Sequence, residues 1–180
     1  GGLLWLSVVV YGLLLAGVHW DELTSNVTDR ILSLENVLIL SLIYPVFKAF
    51  HEFGHAYAVK RWGGEVHEMG IMLLVFVPIP YVDATSSYSF RDKKKRMLVG
   101  AAGILVELFV AALAVAVWVN AGPGTVRAVA YNMMIIGGVS TLLMNGNPLI
   151  RYDAYYILSD FLEIPNLAAR SSEYLGYFVK

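Results

Sequence analysis

Apolar positions in this chain fall into four long runs separated by short polar stretches. Residues 3–18 carry no charge and end beside Trp20, while 37–59 and 97–119 are long runs with few charges, and 128–144 is apolar and rich in small residues. A helix needs about 20 mostly apolar residues to cross a bilayer, so the runs predict four transmembrane helices, the first of them short and extended by an interfacial tryptophan. The second run contains Lys48, His51, Glu52 and His55, and the third contains Glu107 as its one charge. Gly137-Gly138 in the fourth lets a neighbouring helix approach closely. Between the second and third runs, GIMLLVFVPIP (residues 70–80) is too short to span as a helix, rich in β-branched and aromatic residues, and interrupted by proline near its end. That pattern predicts a strand or hairpin dipping from a β or re-entrant loop over about 64–90. Asp153 opens another apolar helix over about 154–162. The expected fold class is therefore an all-α polytopic membrane protein, one domain over 1–180, with about four transmembrane helices and a short membrane-associated β element between the second and third.

Composition strengthens the membrane reading. Of 180 residues, 58% are hydrophobic and 15% charged, and a mean hydropathy of +0.63 lies well outside the soluble globular range. A formal net charge of -1 gives no reason to invoke nucleic acid. Without cysteine, there is neither a disulfide framework nor a thiolate metal site, so any zinc must be held by imidazole and carboxylate. The opening Gly1-Gly2 without methionine, and an end within an apolar stretch, suggest a fragment of a longer protein, with further domains or subunits to be expected. Basic residues set the orientation. Lys60 and Arg61 close the second run and Arg91 to Arg96 lead into the third, whereas 19–35 is mostly acidic. By the positive-inside rule the N-terminus is cytoplasmic and the second helix ends on the cytoplasmic side.

Within that second run stands His51-Glu52-Phe53-Gly54-His55, an HExxH motif. On a helix the two histidines lie one turn apart on one face and can share a zinc ion, with Glu52 beside it. A catalytic zinc needs a third protein ligand. A third histidine at 61 is excluded because Arg61 stands there, and Glu65 and Glu68 follow a Trp62-Gly63-Gly64 turn too closely. Asp153 remains: alternation puts the end of the fourth run at the depth of His55, and a carboxylate buried there is stabilised by a cation.

HEFGH on one membrane helix, with NPLIRYDA (147–154) after a later one, resembles the site-2 protease family of intramembrane zinc metalloproteases, over about 37–162. Ala154 stands where that family's NPxxxxDG pattern has glycine. The stretches PYVDATSSYSF, AAGILVE and NPLIRYDAYYILSDFLEIPN look like a bacterial branch of peptide zinc metalloproteases, which implies a bacterial plasma membrane. The resemblance implies an endopeptidase with one catalytic zinc on His51, His55 and Asp153, Glu52 as general base, and a membrane protein or peptide as substrate. It also implies a β element able to bind an extended substrate by strand addition. The other reading of the β element is that it only packs against the helices. Asn147 is either a helix cap before Pro148 or, with Pro148, a substrate-binding or site-orienting element. Glu107 is either site-orienting or a structural carboxylate paired with Lys48. The competing function is a non-catalytic metal-binding membrane protein that acts as a binding or peptide-export partner.

Overall fold

The computed structural model describes residues 1–178 apart from Asn26 and Phe76. Phe76, within the predicted strand segment, and Val179 and Lys180, in the apolar end, lie outside the described residues. Helices α1 (Gly2–Val18), α2 (Trp20–Thr24), α3 (Val27–Leu32) and α4 (Leu34–Arg61) come first, followed by a hairpin of β1 (Met69–Leu74) and β2 (Val77–Val82). After a 3-10 turn at Thr85–Ser89 come α5 (Lys93–Asn120) and α6 (Thr125–Met134). Helix α6 runs on as a π-helix over Ile135–Asn145, and α7 (Asp153–Leu162) and α8 (Leu167–Phe178) complete the chain. Helix α8 was not foreseen.

Among the described residues, three helices are long and apolar enough to cross a membrane: Leu34–Arg61, Lys93–Asn120 and the continuous Thr125–Asn145. Helix α1, at 17 residues, is apolar but shorter, and the prediction of about four spans rests on it. Burial runs opposite to that of a soluble protein. Leu38, Leu42, Val46, Phe50, Phe53 and Tyr57 form an exposed apolar stripe along α4, while Asn36, His51, His55, Glu107, Asn132, Thr141 and Asn145 are buried. Only an apolar solvent makes that distribution favourable: leaving large side chains out costs nothing in lipid, and polar groups must find partners inside.

The ends follow from local chemistry. Ser33 caps α4 by accepting from the Asn36 N–H at 3.3 Å, and Asp92 caps α5 by accepting from Lys94 N–H at 2.9 Å, offsetting four basic residues in an electropositive first turn. Helices α4 and α5 run antiparallel, since Val59 packs near Val99 while Lys48 reaches Glu107. Helix α1 lies along α5 in the same direction. Trp5 Nε1 donates to the Leu105 carbonyl at 2.9 Å, and Gly12 sits so close that a Cβ there would lie 2.6 Å from the Ala112 Cβ. At the far end Asn36 and Asn132 exchange amide hydrogen bonds of 3.1 and 2.7 Å, which satisfies two polar groups that lipid could not.

The hairpin pairs Met69 with Val82 through Leu74 with Val77. Its connection passes through Val75 at φ 49°, a left-handed conformation uncommon for a β-branched residue. Asp83 N–H donates to Glu68 O at 2.8 Å. Amides alternate in direction along an antiparallel strand, so Pro78, Pro80 and Val82 turn theirs to the outer edge of β2. Proline is tolerated there because that edge makes no ladder bond. β2 packs against α4, and Leu73, Leu74 and Val75 are exposed.

Candidate metal centre

His51 and His55 lie one turn apart on α4 and are both buried. Their Nε2 atoms face each other at 3.0 Å. Asp153, the first residue of α7, brings Oδ2 to 3.1 Å from His51 Nε2 and Oδ1 to 3.5 Å from His55 Nε2. Among the described residues these three form a group able to hold a metal ion.

The donor chemistry can be tested atom by atom. His55 Nδ1 lies 2.7 Å from the Val99 carbonyl. A carbonyl only accepts, so Nδ1 carries the proton and Nε2 of the neutral ring presents a lone pair. His51 Nδ1 lies 3.3 Å from Glu107 Oε2, another acceptor, which favours the same tautomer. Two lone pairs and a carboxylate then converge, an arrangement that repels itself unless a proton or a cation sits among them. Asp153 Oδ2 is buried without an aligned hydrogen-bond partner despite its short contact to His51. Zinc bonds of about 2.0–2.2 Å in a tetrahedron set donor atoms roughly 3.3–3.6 Å apart; the Nε2 pair at 3.0 Å and the two Asp153 oxygens, Oδ2 at 3.1 Å from His51 and Oδ1 at 3.5 Å from His55, lie near that separation, so small shifts close the three side chains on one small divalent ion.

Helix α5 makes room for this cluster. A Cβ on Gly103 would lie 2.5 Å from Nε2 of both histidines, so glycine is required where α5 crosses them. On the α7 side, Arg96 at the start of α5 bonds Asp160 at 2.7 Å, which fixes the helix that carries Asp153.

Glu52 is half-buried and borders two cavities. One, of about 540 Å³, holds His51, His55 and Asp153 in its wall and is also lined by Asp83, Tyr88 and Asp160. The other, of about 480 Å³, is walled by Val46, Phe53, Ile71 and Pro78 and is almost wholly apolar. Pro80 and Val82 of β2 line both. Ten residues separate His51 from the basic end of α4, so the centre lies about 15 Å below that end at 1.5 Å per residue.

The other predicted residues are placed differently. Asn147 Oδ1 accepts from Leu149 N–H at 2.9 Å, closing a local turn, and Pro148 is exposed; neither lines the larger cavity. Asn145, two residues earlier, does line it and is buried. Sequence reading passed over Asn145 and Gly103. The NP signature drew attention two residues downstream, and nothing local marks a glycine in AAGILVE as facing a histidine pair. Glu107 is fully buried and pairs with Lys48 Nζ at 2.6 Å.

The profile described as Peptidase family M50 matches residues 37–169. Over 162 residues the chain is 25% identical to "Putative peptide zinc metalloprotease protein YydH" of Bacillus subtilis (strain 168), covering 89% of this chain and 62% of that protein. The chain thus spans under two thirds of that relative's length. No solved structure matches.

Proposed function

The chain belongs to Peptidase family M50, the site-2 protease family, and from that footing we propose that it is an intramembrane zinc endopeptidase cutting membrane-embedded or membrane-proximal peptides. The observation that carries this reading is the convergence of His51 Nε2, His55 Nε2 and Asp153 in the wall of an open cavity that Glu52 also lines. A structural site closed by four protein ligands has no use for either the opening or a neighbouring carboxylate, which argues against the non-catalytic alternative.

His51, His55 and Asp153 would hold the ion. Bound zinc supplies a Lewis acid that lowers the pKa of water to about 7 and polarises a carbonyl. Glu52 takes the proton released as water attacks the scissile carbonyl and returns it to the leaving amine. Water reaches this depth through the larger cavity, past the polar side chains at its mouth. The apolar cavity beside Glu52 suits the side chains of a membrane segment. The outer edge of β2 offers carbonyls at Pro78 and Pro80 but no N–H there, so an extended substrate docks chiefly as a donor of its own N–H groups. By the positive-inside rule the basic ends of α4 and α5, and hence the cavity mouth, face the cytoplasm of a bacterial plasma membrane.

The test is a matched pair in detergent or lipid. Glu52→Gln retains stoichiometric zinc and loses peptide hydrolysis by roughly 10²–10⁴-fold, the range for a general base; Asp153→Ala loses both zinc and hydrolysis. Stoichiometric zinc in the Asp153 variant at unchanged affinity removes that residue from the ligand set.

A further inference from the structure

Glu107 is 0% exposed and sits on α5 one turn from Gly103. Its two oxygens are used unequally. Oε1 takes Lys48 Nζ at 2.6 Å, whereas Oε2 faces three groups: the Thr141 hydroxyl, Asn145 Nδ2 at 3.3 Å and His51 Nδ1 at 3.3 Å. Thr141 and Asn145 come from the π-helix and, four residues apart, lie about one turn from each other. His51 Nδ1 is buried and has no aligned hydrogen-bond partner, which is costly for an N–H, and the Glu107 carboxylate is the acceptor beside it.

We propose that Glu107 is a positioning residue for the metal centre: by accepting from His51 Nδ1–H it fixes the ring tautomer that turns the Nε2 lone pair toward His55 and Asp153. Lys48 neutralises the carboxylate, and Thr141 and Asn145 hold its second oxygen in place. His55 obtains the same service from the Val99 carbonyl at 2.7 Å, so each candidate ligand histidine has its own acceptor behind it. Such outer partners orient ligating imidazoles, and their loss costs about 10–100-fold in metal affinity. The inference rests on the metal-site reading above.

Glu107→Gln tests it with a defined chemical consequence. The amide oxygen stays with Lys48, which can only donate, and the NH₂ takes the Oε2 position. His51 Nδ1 then meets a donor, so its proton moves to Nε2, the atom facing the metal. Zinc affinity of the full chain in detergent, measured by chelator competition, is expected to fall 10–100-fold in Glu107→Gln. In Lys48→Arg, which keeps both the carboxylate and its counter-charge, it stays within about threefold, well short of the loss expected when the acceptor itself goes. Two-bond ¹H–¹⁵N spectra of metal-free, histidine-labelled protein are expected to give a protonated Nδ1 at His51 in wild type and Lys48→Arg, and an unprotonated Nδ1 in Glu107→Gln. Should Glu107→Gln not fold, Glu107→Leu with Lys48→Met removes both charges together, and its zinc affinity falls by the same factor. Unchanged zinc affinity in the Glu107 variants, or weaker zinc with the wild-type tautomer, overturns the positioning role. A wild-type chain that binds no zinc overturns the metal-site reading instead.

Discussion

The chemistry rests on a few contacts at the residue scale, and glycine is as demanding there as the charged groups. A methyl group at Gly103 would meet Nε2 of both His51 and His55 at 2.5 Å, so Gly103→Ala must push the imidazoles or α5 aside. Overpacking of that kind costs about 1–3 kcal/mol, which, if it falls on the bound state, weakens zinc binding by roughly 5- to 150-fold; chelator competition measures it. An equally tight Gly103→Ala variant would mean the histidines are free to move. His51, Glu52 and His55 were legible because helical periodicity fixes which side chains share a face. Asp153 was legible as the carboxylate at a suitable depth and through the resemblance that NPLIRYDA carries. The Val99 carbonyl behind His55 was not legible at all, since a main-chain atom leaves no mark in a residue pattern.

Helices here are held together by close approach and internal polar pairs, since lipid supplies little drive to bury apolar faces. Gly12 of α1 against Ala112 of α5 is such an approach, and it yields a compensation test. Gly12→Ala destabilises the α1–α5 contact by about 1–3 kcal/mol, and adding Ala112→Gly restores most of the loss; thermal melts in detergent follow both. A swap that does not recover would place the strain elsewhere. The buried amide pair makes a second test. Asn132→Ala strands the Asn36 amide and costs about 1–3 kcal/mol, whereas replacing both by leucine is closer to neutral, read by the same melts. At this scale the sequence predicted the helix runs and a β element over 70–80. It missed α8 and the switch of α6 into a π-helix at Ile135–Asn145, the segment whose Thr141 and Asn145 meet Glu107.

The molecule exposes long apolar stripes and keeps a set of polar groups buried between its helices, which makes sidedness its main global property. With no cysteine in the chain, single cysteines report it directly. Placed at Arg61 or Lys94, they label with an impermeant reagent from one side of sealed vesicles; at Gly122, beyond the other end of α5, they label from the opposite side. Labelling of 61 and 122 from the same side would contradict antiparallel spanning by α4 and α5. The sequence alone determined that the chain is a membrane protein, where its long helices run, and that two histidines and a glutamate share one helical face, because hydropathy and the 3.6-residue period are properties of neighbouring residues. Only the tertiary structure decided the rest: that Asp153 closes on the histidine pair, that Gly103 leaves space for it, that Asn145 rather than Asn147 lines the cavity, and that Glu107 reaches Lys48 and His51 together. Those relations join residues 48 to 102 positions apart, and their distances depend on how α4, α5, the π-helix and α7 pack.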